Sequence, residues 1–268
     1  MLDEVQIHQI PVLFGGARRL FELLPARVER EIVHARGHPH PLPRPPLSWL
    51  DGGRVAERQL DVVTTPRRQL VKLTDLEMPV TPACRAALEV ATAYCSPALL
   101  NHSVRAYVWA AGYALERGIA FDAELLYVSA MLHDLALVKE FDNHSLPFEE
   151  AGGHVAWVFG AAAGWPVERR RRAAEIIVRH MWDAVDVATD PEGHLLELST
   201  GMDISGRRTE DLPPDLRAEV LVHYPRLGLA EEFIAAFEDQ ATRKPLCLAA
   251  QFVRSGLATR LATNPLER

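Results

Sequence analysis

At 268 residues the chain is long enough for one large domain, or for a medium-sized domain with an appendage. Hydrophobic residues make up 48% and charged residues 24%, the composition of an ordinary globular protein. The formal net charge of -7 argues against a nucleic acid as the main partner, because phosphate binding requires a basic surface.

Cysteine usage and the start of the chain indicate a cellular compartment. Cys84, Cys95 and Cys247 lack the paired spacing of a zinc site and cannot all pair with one another. Free thiols of this kind are typical of a reducing compartment. No apolar run is long enough to cross a bilayer, and the first residues, MLDEVQIHQI, do not resemble a signal peptide. We therefore expect a cytoplasmic protein without membrane contact.

Residues 1–40 are predicted to form a strand–helix–strand piece. Residues 4–14 and 28–35 are rich in β-branched residues and partly alternate between apolar and polar, whereas residues 17–24 have the spacing of a short helix. Residues 41–59 follow as a Pro-rich linker, because proline disrupts both helix interiors and central strands.

Helical periodicity dominates residues 60–268, which we predict to form one all-α domain. The fold class is therefore all-α with a short α/β appendage at the N-terminus. The expected helices cover residues 81–94, 101–117, a segment capped by Asp122, 148–162, 167–181, 193–203, 215–223, 230–240 and 244–262.

The apolar segment LLYVSAMLHDLALV carries His133 directly before Asp134. A carboxylate in apolar surroundings is costly unless it finds a cation. Further polar side chains of metal-binding type, His102, His180 and Asp203, occur at apolar positions of other predicted helices. Two imidazoles and two carboxylates in the core of a helical bundle suit a divalent transition metal. We predict that His102, His133, Asp134 and Asp203 bind one such ion.

The order of these motifs resembles the HD superfamily of metal-dependent hydrolases, whose metal is bound by a His, a His-Asp pair and a distant Asp. The segments NHSVR, MLHD and FEEAGG are most similar to the cyanamide-hydratase-like branch, and the resemblance spans about residues 100–226. It implies a small-molecule hydrolase or hydratase with one divalent metal ion. Zinc is favoured, with iron, manganese or nickel as alternatives.

Two departures from the superfamily pattern bear on the reaction. Many HD phosphohydrolases continue with a lysine that serves phosphate, but here the sequence reads HDLALVK and Lys139 is predicted to be exposed. Two-metal members place a histidine where this chain has Phe148. His154, on the same predicted helix, is interpreted as a packed histidine rather than a ligand. Both departures favour one metal and a reaction other than phosphate-ester cleavage.

Asp134 and His180 are the predicted catalytic residues. An imidazole titrates near neutral pH, so His180 suits proton transfer, with a purely structural role as the alternative. We expect a small-molecule substrate, no nucleic-acid partner, and a homo-oligomer as an open alternative to a monomer. An HD-type phosphohydrolase and a non-catalytic ligand-binding protein are the alternative functions.

Residues 1–35 show a second resemblance. The run LDEVQIHQIPVLFGGARRLFELL is similar to the last part of the dihydrofolate-reductase-like domains found in riboflavin-pathway reductases. A lone strand–helix–strand piece cannot enclose a dinucleotide, so we expect no NADP site. We predict that residues 1–40 are dispensable for metal binding.

Overall fold

The computed structural model describes residues 71–267. The predicted N-terminal piece and the Pro-rich linker lie outside the described residues. Within residues 71–267 the regular secondary structure is entirely helical, which confirms the all-α fold. The α-helices are α1 (Pro82–Tyr94), α2 (Pro97–Arg117), α3 (Ala123–Leu132), α4 (Phe148–Ala162), α5 (Val167–Arg179), α6 (Pro191–Ser205), α7 (Pro214–His223), α8 (Leu229–Arg243), α9 (Leu248–Arg254) and α10 (Leu257–Ala262).

Capping residues set the limits of the first helices. Thr81 caps α1 and Asp122 caps α3, each side chain accepting a hydrogen bond from a backbone N–H of the first turn. Helix α2 begins at Pro97, earlier than predicted, because Ser96 Oγ accepts the N–H of Leu99. It ends at Gly118, whose φ of 66° lies in the left-handed region that glycine tolerates.

Helix α2 is the central element and packs against α3 and α6. Its middle is buried on every side, including the large side chains of Tyr107 and Trp109. Helix α4 packs along α5, and a Cβ at Gly153 would lie only 3.2 Å from the carbonyl oxygen of Ala174. A larger residue at Gly153 would therefore push α4 and α5 apart.

The prediction of one helix over residues 244–262 is wrong. The structure has two short helices there, α9 and α10, separated by Ser255 and Gly256. Gly256 has a φ of 88°, which interrupts the helical backbone and which other residues rarely adopt. The change of direction lets both short helices pack around α8.

Side chains that follow α7 and α10 close the end of α6. Asn264 Nδ2 donates hydrogen bonds to the carbonyl oxygens of Asp203 (2.8 Å) and Ile204 (3.0 Å). Arg226 Nη1 donates to the same Asp203 carbonyl (2.7 Å), and its Nε contacts Glu267. These bonds satisfy carbonyls that a helix end leaves without an intrahelical partner. We call Arg226 and Asn264 the C-terminal clamp.

The three cysteines are free, with Cys84 and Cys247 buried, as the sequence predicted. Within residues 71–267, no helix combines the length and the apolar character needed to cross a lipid bilayer.

Candidate metal centre

Three helices bring the four predicted ligand residues into the core. His102 lies in the second turn of α2, and Asp203 lies in the last turn of α6, which continues to Ser205. His133 is the C-terminal cap of α3, and Asp134 starts a short 3-10 helix, Leu135–Leu137. All four side chains are at most 2% exposed. The two adjacent residues thus lie at the C-terminal end of α3.

Hydrogen bonds fix which nitrogen of each imidazole is free. His133 Nδ1 donates to the carbonyl oxygen of Ala130 at 2.8 Å, and His102 Nδ1 donates to Asp203 Oδ2 at 2.7 Å. Because both protons are on Nδ1, each Nε2 presents a lone pair. The two Nε2 atoms are 3.2 Å apart. Two facing lone pairs at this distance repel each other unless a cation lies beside both.

Asp134 completes the cluster. Its Oδ2 lies 3.1 Å from His133 Nε2 and 3.3 Å from His102 Nε2. Both Asp134 oxygens are buried and have no hydrogen-bond donor among the described residues. Tetrahedral ligands at the usual zinc distances of about 2.0–2.1 Å stand about 3.3 Å from one another. The three atoms of His102, His133 and Asp134 have that spacing, so they fit a bound divalent ion.

Asp203 lies on the other side of the His102 ring and has several hydrogen-bond donors. Its Oδ1 accepts from Arg105 Nε (2.9 Å) and Trp109 Nε1 (2.8 Å). Its Oδ2 accepts from Arg105 Nη2 (2.8 Å) in addition to His102 Nδ1. A carboxylate that orients a ligand histidine in this way is a common feature of metal sites. The structure therefore places Asp203 next to the cluster but with both oxygens already engaged.

The electrostatics favour a cation between these residues. Burial works against ionisation of Asp134, but the neighbouring imidazoles of His133 and His102 hold the pKa of its carboxyl far below the ordinary value. Burial also works against charging His102, but the neighbouring carboxylates of Asp134 and Asp203 raise its pKa. Burial opposes the charge of Asp203 too, and Arg105 lowers its pKa well below the usual range.

His180 lies directly after α5 and faces the cluster. Its Nδ1 hydrogen-bonds the carbonyl oxygen of Ile177, which leaves Nε2 pointing to Asp134 Oδ1 at 3.8 Å. Its ring packs edge-on against His133, with centroids 4.9 Å apart. Burial, with an electrostatic contribution from the neighbouring His133, lowers the pKa of His180 to about 3. The imidazole is therefore neutral at physiological pH, with a free lone pair beside the cluster.

The residues at which the sequence departs from the HD superfamily pattern lie as the sequence indicated, with one difference. Phe148 is buried and packs against the His180 ring at a centroid distance of 5.8 Å. Lys139 is exposed, as predicted. His154 is also exposed, on a surface groove between α4 and α5, so the expectation that it is packed inside was wrong. None of these three residues adds a ligand to the cluster.

A cavity of about 220 Å³ opens beside the cluster. Its floor is formed by the three clustered residues and His180, and most of its remaining wall is apolar. The apolar wall includes Met181, Ile204, Phe233, Phe237, Phe252 and Leu257. Trp182, Asp183, Glu197, Arg207 and Arg260 also line it.

The sequence did not reveal this cavity wall. Phe233 and Phe237 are four residues apart on α8, a spacing that indicates a core-facing stripe but not what the stripe faces. Phe252 and Leu257 lie on the two helices that were predicted as one. Because their position depends on the break at Gly256, sequence periodicity alone could not place them at the site.

Comparison with known proteins shows what the fold and the site are similar to. The HD domain family matches residues 99–218, which include all four predicted ligand residues. Two cyanamide hydratases of Saccharomyces cerevisiae, DDI2 and DDI3, are each 27% identical to the chain over 197 residues. The alignment covers 72% of this chain and 85% of each yeast protein.

The matched region, the buried histidine–aspartate cluster and the adjacent cavity agree with one another. A divalent metal site with an open, partly apolar cavity is the arrangement of a hydrolytic metalloenzyme. Residues 99–218 therefore match an HD domain, and this match, together with the similarity to the cyanamide hydratases and the buried cluster, supports a metal-dependent hydrolase or hydratase.

Proposed function

We propose that the enzyme adds water to a small, uncharged molecule that contains a carbon–nitrogen triple bond, and that one zinc ion is its metal. The observation that carries the proposal is the convergence of His102 Nε2, His133 Nε2 and Asp134 Oδ2 beside an apolar cavity. Nitrogen-rich ligand sets of this kind suit zinc, with iron, manganese or nickel as alternatives. A zinc ion there would acidify a bound water molecule and polarise the substrate.

We propose His102, His133 and Asp134 as the direct ligands and Asp203 as the residue that orients His102. Asp203 was predicted as a fourth ligand, but its contacts with Arg105 and Trp109 support an indirect role. A protein carboxylate behind a ligand histidine fixes the tautomer and the ring orientation.

His180 is the residue we propose for proton transfer. Its Nε2 lies in the floor of the cavity, 3.8 Å from Asp134 Oδ1. It can accept a proton from water and return it to the nitrogen of the substrate, while its Nδ1–H bond to Ile177 holds the ring in place. Asp134 contributes a negatively charged carboxylate next to the His180 ring.

Several features support a neutral substrate over a phosphate ester. Lys139 is exposed and does not line the cavity. The guanidinium of Arg105 is fully buried and bound to Asp203 and to backbone carbonyls of Tyr224 and Pro225. Phosphate transfer commonly profits from a second metal or a free cation, and neither is supplied by these residues.

The relatives named as cyanamide hydratases provide the chemical class. We propose hydration of a cyanamide-type C≡N group in this chain, in a cytoplasmic setting consistent with its free thiols. The second candidate function is an HD-type phosphohydrolase. The resemblance to the superfamily supports it.

The test is metal analysis followed by a substrate panel. Purified protein should contain about one zinc per chain and should hydrate cyanamide but not cleave nucleotide or aryl phosphates. Asp134→Asn should lose both the metal and the activity. Asp239→Asn is the matched control, because Asp239 is 62% exposed and pairs with Arg243 on the surface of α8. Robust phosphatase turnover that depends on Asp134 would contradict the proposal, and metal-free protein of full activity would do so as well.

A further inference from the structure

The cavity beside the cluster exceeds what cyanamide needs. Its volume of about 220 Å³ is larger than an engineered protein cavity of about 150 Å³ that binds benzene. Cyanamide, an amino group attached to a C≡N unit, is much smaller than benzene and would leave most of the apolar wall without a contact. Unfilled apolar surface contributes nothing to binding, so the wall indicates a substrate with an additional apolar group.

The wall is continuous from the metal cluster outwards. The Phe233 ring lies 6.0 Å from the His102 ring and stacks on Phe237 at 4.3 Å with an interplanar angle of 30°. Phe252 continues the wall, with its ring 6.5 Å from that of Phe237. Leu257 lies beyond it at the start of α10. A flat apolar group attached to a reacting group at the cluster would contact these side chains.

The charged side chains around the cavity are already neutralised. Arg207 forms an ion pair with Glu197, so neither presents an uncompensated charge. Arg260 donates to the carbonyl oxygens of Ser255 and Phe252 and stacks over the Phe252 ring. Asp183 lines the same cavity, so the formal charges of Glu197, Arg207, Arg260 and Asp183 sum to zero. This balance favours an uncharged substrate over one that carries a carboxylate or a phosphate.

We propose that the preferred substrate is an N-substituted cyanamide or a nitrile with an apolar substituent up to about the size of a phenyl ring. The inference rests on the proposed function and adds the nature of the substituent. The substituent packs against Phe233, Phe237 and Phe252 while the C≡N group faces the cluster. The oxygen of water bonds to the carbon, both water protons end on the substrate after tautomerisation, and no group leaves. The product is a substituted urea or an amide.

The decisive measurement compares phenylcyanamide with cyanamide on the metal-loaded full-length chain. We expect kcat/KM for phenylcyanamide to be at least about tenfold higher, because even one extra methylene in an apolar pocket changes selectivity by roughly 10–200-fold. Leu257→Phe fills the cavity and should lower the ratio of the two kcat/KM values at least about tenfold. Leu246→Phe is the matched control at a side chain that is 91% exposed, and it should leave the ratio unchanged.

A binding measurement covers the case of a cavity-filling variant that does not fold. Phenylurea, the expected product, should bind the unsubstituted chain at least about tenfold more tightly than urea, measured by calorimetry. Phe252→Ala removes part of the wall at a partly exposed position without overpacking, and should reduce that preference.

The outcomes separate the two proposals. If cyanamide is hydrated at least as well as phenylcyanamide, and phenylurea binds no more tightly than urea, the substituent inference is wrong and the proposed function stands. If the zinc-loaded chain hydrates neither compound, both are wrong.

Discussion

The two sides of the cavity are built in contrasting ways. The floor consists of His102, His133 and Asp134, each buried and held by specific hydrogen bonds or by its neighbours. The opposite wall, from α8 to α10, consists mainly of stacked aromatic and aliphatic side chains with few polar contacts. The floor lies within the region that matches the HD domain, whereas the wall residues of α8–α10, Phe233, Phe237, Phe252 and Leu257, lie beyond residue 218.

This difference separates the source of the chemistry from the source of the selectivity. A metal cluster tolerates almost no displacement, because each ligand atom has a fixed distance and direction. An apolar wall tolerates changes of shape as long as volume is kept. The reaction type is therefore readable from the matched region, whereas the substituent proposed for the substrate depends largely on the helices that follow it.

Removing a proposed metal-binding side chain should have the largest effect. It should disrupt the floor of the cavity but not its apolar wall. We expect His133→Ala to lower metal affinity by more than about 100-fold, since even changes behind a ligand cost about 10–100-fold. Turnover should fall to background, and stability should drop because Asp134 keeps its charge with less compensation. Elemental analysis measures the bound metal, and the hydration rate measures turnover. His154→Ala, on the exposed face of α4, should change neither.

Removing the cation behind the floor should have the next largest effect. Arg105→Met leaves Asp203 buried with less compensation, and we expect the free energy of unfolding to fall by about 3–5 kcal/mol. Urea titration measures the change. Arg243→Met removes two partly exposed pairs, with Asp239 and Asp142, and should cost at most about 2 kcal/mol. Equal losses for the two variants would show that the Arg105–Asp203 pair has no special role.

His180 should make stability depend on pH. In the unfolded chain a histidine binds a proton below about pH 6.5, whereas burial lowers the pKa of folded His180 to about 3. Between these values protons favour the unfolded state, so stability falls as the pH drops, by about 1.4 kcal/mol per pH unit. His180→Gln does not titrate and should reduce that slope in urea titrations of metal-free protein from pH 7 to pH 4. An unchanged slope would contradict the prediction.

A change at the break between α9 and α10 should affect the wall without the floor. Gly256→Ala places a side chain at a φ of 88°, which we expect to cost about 1–2 kcal/mol in thermal or urea unfolding. Metal content should stay at one ion per chain. Gly228→Ala is the control, because Gly228 has a negative φ and should tolerate alanine. Metal loss in the Gly256 variant would show that wall and floor are coupled.

The smallest effect is expected at the N-terminus. Deleting residues 1–40 should leave metal content unchanged, because their sequence pattern differs from that of the helical domain and the predicted linker follows them. A folded, monodisperse truncated protein without metal would show that these residues contribute to the site.

Much of the helical architecture could be predicted from the sequence. The limits of α4 and the end of α2 matched the expected residues, since apolar periodicity and Gly118 define them locally. The position of His102, His133 and Asp134 could also be anticipated, because ligand-type residues at apolar helix positions require a buried partner. The break within residues 244–262 was not predicted, because a single glycine inside a helical pattern does not by itself indicate the end of a helix.

The detailed roles of Asp203 and of the cavity wall could not be predicted from the sequence. The partners of Asp203, Arg105 and Trp109, come from another helix, and their approach depends on how α2 and α6 pack. The aromatic wall depends in the same way on the turn between α9 and α10. Sequence patterns identify which residues are inside, but long-range packing decides which of them meet.

The C-terminal clamp has a practical consequence for dissecting or recombining this enzyme. Arg226 and Asn264 supply the hydrogen bonds that finish α6, yet both lie outside residues 99–218. A fragment excised at the family boundary would lose these donors directly behind Asp203 and expose its carbonyl group. Chimaeras that exchange substrate specificity between relatives should therefore transplant the last helices together with both clamp residues.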